Sequence, residues 1–272
     1  MHTPLCKHAY GQPEEYAKRG REMGLKGIIV TCHSPMPRGF WPGVRMGVDE
    51  FDDYVALVNR ATTACKDELD VRLGMESDYF PGFEDWIAEL HQKAEFHYCL
   101  GSVHWQGMDY RKRFESGNVE EFRKTYFKLL ADSAETGLFD GLAHPDLVKN
   151  YHPESWDFEA SRPDIAEALD RIAKTGVAME LNTSGLMKSY EEMNPGAEML
   201  KMMQQRGIPV VVGSDSHRPS RVAEHFSAAL KTLQGVGYNK VSVFERRQRS
   251  DLAIDEVLAS LEANAVPDTV EL

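Results

Sequence analysis

Apolar residues in this chain fall into short unbroken runs, each succeeded by a longer amphipathic stretch. The clearest run is Ile208-Pro209-Val210-Val211-Val212, closed by Gly213. It is rich in β-branched residues and has no polar alternation, which is how a strand buried on both faces reads. Similar runs predict strands over 27–31, 70–75, 96–103, 138–143, 177–181 and 240–244. Between them, apolar residues at helical spacing predict helices over 13–23, 49–69, 83–93, 119–136, 163–174, 197–206, 221–233 and 254–263. In the first of these, Pro13 suits the opening turn, Glu14 and Glu15 suit the helix dipole, and Gly24 stops it. The polar stretch 106–117 reads as a loop. Strand–helix alternation throughout predicts an α/β fold with a parallel sheet under helices, of about seven strands.

The residues just past each strand decide between an open sheet and a barrel. His33, Glu76, His104, His144, Asn182, Asp215 and His217 all lie at or beyond predicted strand ends. In a barrel the loops at that face converge on one axis. An open sheet would set the same residues in a row.

The length of 272 residues, 42% hydrophobic, suits a single domain over 1–272 with a substantial core. A formal charge of -12 argues against nucleic acid as a main partner. It leaves room for a small phosphorylated substrate, because bound metal ions reverse the local sign. Cys6, Cys32, Cys65 and Cys99 form no Cys-x-x-Cys pair, so neither a zinc ribbon nor a redox motif is expected, and a reducing, cytoplasmic setting is. The N-terminal stretch lacks an apolar signal region and no run is long enough to span a membrane, so no membrane partner is expected. Oligomeric state is not legible.

The chemistry lies in the histidines. His91, His97, His152 and His225 read as structural or surface residues. His2, His8, His33, His104, His144 and His217 join Glu76 and Asp215 at one mouth. Asp215 and His217, two apart at a strand end, point the same way and make a metal corner of hard oxygen and borderline nitrogen. Packing these groups without metal would strand polar atoms at about 1–3 kcal/mol each; metal ions remove that cost.

The sequence resembles the PHP (polymerase and histidinol phosphatase) superfamily, and within it the histidinol-phosphatase branch. The resemblance rests on His2-Thr3-Pro4-Leu5-Cys6-Lys7-His8-Ala9, Thr31-Cys32-His33-Ser34-Pro35, Arg45-Met46, Gly74-Met75-Glu76-Ser77-Asp78, Gly101-Ser102-Val103-His104, His144-Pro145-Asp146, Asn182-Thr183-Ser184-Gly185-Leu186 and Gly213-Ser214-Asp215-Ser216-His217-Arg218. It implies a distorted (β/α)7 barrel holding two to three divalent ions, Zn, Mn or Fe. His2, Glu76 and Asp215 would bind the first ion. Glu76 would bridge to a second held by His104 and His144, and His8, His33 and His217 would hold a third. Glu76, Asp215 and His217 are the catalytic candidates. The implied reaction is hydrolysis of a phosphomonoester, with L-histidinol phosphate the expected substrate. A metal-bridging hydroxide would attack phosphorus in line. Arg45 and Arg218 would hold the phosphoryl oxygens, with Lys149 and Asn182 as further substrate contacts.

Two departures stand out. The family opens with His-x-His; here Met1 occupies the middle position, so the first histidine and most of the first strand would precede it. The family's Asp before His33 is Cys32. Rival expectations are a metal-dependent amidohydrolase and a PHP protein impaired by the missing first histidine. Glu76 at the bridging place and Asp215-x-His217 favour the phosphatase.

Overall fold

The protein is described from a computed structural model over residues 1–37 and 39–264. Six parallel strands hydrogen-bond in sequence order: β1 (Gly27–Val30), β2 (Asp70–Asp78), β3 (Tyr98–Ser102), β4 (Gly141–Leu142), β5 (Ala178–Asn182) and β6 (Val210–Gly213). The sheet curls into a distorted TIM-type barrel. Helices α1 (Pro13–Glu22), α2 (Phe51–Cys65), α3 (Glu84–His91), α4 (Met108–Phe114), α5 (Val119–Glu135), α6 (Phe158–Ile172), α7 (Ala197–Gln205), α8 (Phe226–Gly235) and α9 (Ile254–Asn264) complete it. Tyr98, Leu100, Ala143, Ala178 and Val211 pack inside the sheet with Phe244. Leu130, Leu142, Ile165, Leu169 and Leu200 belong to the larger core shared with the helices.

The strand predicted over 240–244 is present but does not join the parallel sheet. It is β7 (Lys240–Glu245), paired antiparallel with β8 (Gln248–Ala253). The turn between them places Arg246 and Arg247 at φ 48° and 62°, left-handed positions that Asn or Gly would have signalled. Arg247 secures this hairpin by donating to Leu138 O at 2.7 Å and to Asp140 at 3.1 Å. Phe244 stacks on Tyr98 with ring centroids 4.8 Å apart. The hairpin therefore packs against the barrel interior.

The loop predicted over 106–117 contains α4. Its polar face hid a buried side: Tyr110 is 1% exposed and packs edge-on to Phe80. Strand β2 runs three residues beyond its predicted end. That extension places both Glu76 and Asp78 in the strand, on one face by its two-residue period.

Among the described residues, β1 and β6 do not pair with each other. At the C-terminal mouth the first two residues lie between their continuations. Thr31 N donates to Met1 O at 2.8 Å, and His2 N donates to Ser216 O at 3.0 Å. Beneath them lies a cavity of about 530 Å³, lined by Ile29, Val211, Tyr98 and Phe244 among others.

Candidate metal centre

Glu76 is the hub. His33 sits directly across from it in an isolated parallel bridge. The Glu76 carboxylate, 3% exposed, has four imidazoles around it. His2 Nε2 is 3.3 Å and His33 Nδ1 3.4 Å from Oε2; His104 Nε2 and His144 Nε2 are each 3.4 Å from Oε1. His2 Nε2 also lies 3.0 Å from Asp215 Oδ1. His2 and His217 stack with centroids 3.9 Å apart, and His8 lies 4.5 Å from His217. The structure thus gathers His2, His8, His33, Glu76, His104, His144, Asp215 and His217 at one mouth.

Several of these rings are held from behind, which fixes the nitrogen they present. His104 Nδ1 is 2.7 Å from Asp78 Oδ1. His8 Nδ1 is 2.7 Å from Cys6 O, and His217 Nδ1 is 2.9 Å from Asp215 O. In each case Nδ1–H donates to oxygen and Nε2 is the free lone pair, the arrangement that orients metal-binding imidazoles. Meanwhile Glu76 Oε1, His33 Nδ1, His144 Nδ1 and His217 Nε2 are buried with no hydrogen-bond partner among the described residues. Ligand atoms of His2, Glu76 and Asp215 lie within 4.8 Å of one another, as do those of His33, Glu76 and His104. Clustered, unsatisfied lone pairs of this kind fit divalent cations.

The electrostatics of the ligand groups divide. Burial would lower the His2 and His104 pKa values, but the carboxylates of Asp215 and Asp78 more than reverse it and raise both, while Glu76, Asp215, His33 and His217 take their metal-binding forms. Burial pushes the Glu76 pKa up, but the neighbouring imidazoles, His33 foremost, more than reverse this and hold it well below the usual carboxylate range. Asp215 behaves likewise, with burial overcome by its bond to His2 and the nearby His217. Burial lowers the His33 pKa well below normal, and burial together with the His2 charge brings His217 down to about 3. These rings are neutral near pH 7, the form that binds metal.

The backbone is also committed. Asp215 and His144 sit at φ 47° and 28°, a region that costs an L residue about 1–2 kcal/mol. His144 N donates to Glu180 Oε2 at 3.0 Å. Gly213 makes room for that carboxylate: a Cβ there would meet Glu180 Oε1 at 1.8 Å.

Three expected substrate contacts are engaged elsewhere. Arg45 is 2% exposed and donates to Asp78 Oδ2 at 2.5 Å, Ser34 O at 3.0 Å and Trp41 O at 3.3 Å. Its contacts serve Asp78 rather than the mouth. Lys149, fully buried, donates to Asp146 Oδ2, Glu192 Oε2 and Met193 O, which uses every donor of an ammonium group. Asn182 donates to Glu180 and accepts from Ser184 N. Arg218 alone of the four is not buried, with its guanidinium 5.4 Å from the Tyr10 ring centroid.

Sequence reasoning gave no role to Asp78, although its place two residues after Glu76 signalled a shared face. It also passed over Lys188, whose Nζ lies 3.9 Å from Asp215 Oδ2, and Ser184, whose hydroxyl donates to that same oxygen at 3.2 Å.

A family model described as "PHP domain" matches residues 1–184. The chain belongs to the PHP family. Among PHP relatives, "Probable histidinol-phosphatase" of Deinococcus radiodurans is 34% identical over 92% of this chain and 96% of its own length. "Histidinol-phosphatase" of Bacillus subtilis is 25% identical over 85% of this chain and 97% of its own length. A crystal structure of histidinol phosphate phosphatase from Lactococcus lactis, complexed with zinc, L-histidinol and phosphate, superposes with a TM-score of 0.78. It is 19% identical, over 92% of this chain and 97% of that one, and shares the fold.

Proposed function

We propose that this chain is a metal-dependent phosphomonoester hydrolase that converts L-histidinol phosphate and water to L-histidinol and phosphate. The observation that carries the reading is Glu76 ringed by His2, His33, His104 and His144 in a PHP chain with full-length histidinol-phosphatase relatives. His2, Glu76 and Asp215 would hold one ion, Glu76, His104 and His144 a second, and His8, His33 and His217 a third. Imidazole and carboxylate donors suit Zn, Mn or Fe. When bound, such ions supply Lewis acidity that makes water a nucleophile at neutral pH and neutralises phosphoryl charge.

The chain's own groups prepare that chemistry. Asp78 and the backbone carbonyls of Cys6 and Asp215 fix the tautomers of His104, His8 and His217. Arg45 positions Asp78 and has no phosphate role in this reading. Lys188 and Arg218 are the cations at the mouth for the phosphoryl oxygens. The free cysteines accord with a reducing, cytoplasmic setting; among the described residues no helix is long and apolar enough to cross a membrane.

The test is an assay on histidinol phosphate, other phosphomonoesters, a phosphodiester and an amide, each with and without chelator. The expected result is chelator-sensitive turnover with histidinol phosphate preferred. Chelator-insensitive turnover, or preference for the diester or amide, rejects the reading.

A further inference from the structure

His2 has two neighbourhoods. Its Nε2 is turned to Asp215 and Glu76, at 3.0 Å and 3.3 Å. Its Nδ1 is buried and has no hydrogen-bond partner among the described residues. One ring nitrogen of His2 and the Sγ atoms of Cys6 and Cys32 lie within 4.8 Å of one another. Because Nε2 is occupied with the carboxylates, Nδ1 is the nitrogen left for the thiols. Both thiols are free and 0% exposed. The Cys32 sulfur already accepts two bonds from one residue: Thr3 N at 3.4 Å and Thr3 Oγ1 at 3.2 Å. Donors aimed at a sulfur stabilise negative charge there.

We propose that His2 Nδ1, Cys6 Sγ and Cys32 Sγ form a separate metal position that takes a thiophilic divalent ion such as Zn²⁺. This goes beyond the hydrolase reading, which assigns the two thiols nothing. The ligand chemistry differs from the carboxylate side: two thiolates and one imidazole are soft donors, selecting zinc over manganese or magnesium. Charge and protons balance. Each thiol gives its proton to solvent as its sulfur–metal bond forms, and two thiolates neutralise the dication. The neutral imidazole keeps its one proton on Nε2, donated to Asp215, and offers the Nδ1 lone pair. A three-ligand set leaves one tetrahedral position for a further donor. An ion seated on the thiols holds His2 in the tautomer opposite to the one an ion at Glu76 and Asp215 needs.

The decisive measurement is X-ray absorption at the zinc edge on the full chain loaded with Zn²⁺. A sulfur shell at about 2.3 Å is expected beside the nitrogen and oxygen shell at about 2.0–2.2 Å. The Co²⁺-loaded chain should show a sulfur-to-cobalt charge-transfer band. Cys32→Ser and Cys6→Ser should each weaken both signals, and the double variant should lose both. A wild-type spectrum with nitrogen and oxygen scatterers alone and no charge-transfer band overturns the proposal. That outcome needs no variant to fold. Absence of histidinol phosphate turnover in the Mn²⁺-loaded chain, whose soft thiol position stays empty, would count against the hydrolase reading alone. Turnover without a sulfur shell would count against the thiol site alone.

Discussion

His104 Nδ1 donates to Asp78 Oδ1 at 2.7 Å, and that bond determines which nitrogen His104 turns toward Glu76. Burial would raise the Asp78 pKa, but the Arg45 and His104 charges hold it far below the usual carboxylate range. Asp78 is therefore ionised at any working pH. Replacing it with asparagine keeps the shape and removes the charge that fixes the tautomer. Asp78→Asn should lower metal affinity by about 10–100-fold, read by competition titration with a chromophoric chelator. Unchanged affinity would remove Asp78 from the positioning role.

Arg45 is the charge partner of Asp78, and both are buried. Arg45→Ala should destabilise the fold by about 3–5 kcal/mol, because a buried carboxylate is left unpaired, and metal content should fall with it. Urea unfolding and metal analysis measure both. A raised KM with stability and metal content intact would return Arg45 to the phosphate.

Removing metal should cost stability as well as turnover. An ion bound only by the folded state contributes about 2.7 kcal/mol when its concentration is a hundred times Kd. Dialysis against chelator should lower Tm and abolish hydrolysis, and adding back zinc or manganese should restore both. An unchanged Tm would mean the clustered lone pairs are satisfied without an ion.

His91 offers a pH test away from the mouth. Burial, reinforced by the Arg247 charge, lowers its pKa from 6.5 to about 4, while Nε2 lies 2.9 Å from Ser77 Oγ. Between these values the unfolded chain binds a proton that the folded chain does not, so stability falls as pH falls through that window. This group alone should make the wild type about 2 kcal/mol less stable at pH 5 than at pH 7. His91→Gln should reduce the pH slope by that amount. Equal slopes in the two proteins would show that His91 does not carry it.

The sequence was most legible where chemistry coincides with strand ends. Glu76, His104, His144 and Asp215 needed only apolar runs and the residues after them. Arg45, Lys149 and Asn182 were harder to read, because a charged or amide side chain near a site looks the same whether it faces ligand or a buried partner. Asp78 and Glu192, which decide that question, lie 33 and 43 residues from Arg45 and Lys149. The hairpin of β7 and β8 escaped because its turn uses two arginines and β8 is largely exposed, leaving no alternation to read.

Among the described residues β1 and β6 do not pair with each other, and that seam bears on how fast metal leaves. A barrel with a continuous ladder has to break many bonds in concert to open, whereas among the described residues the seam carries the bonds from Thr31 N to Met1 O and from His2 N to Ser216 O. One of those residues is also the imidazole shared by Glu76 and Asp215. Local breathing of the seam and release of an ion held by His2 are then one event with one rate. Slow exchange of the His2 and Thr31 amide hydrogens would report the residence time of the metal.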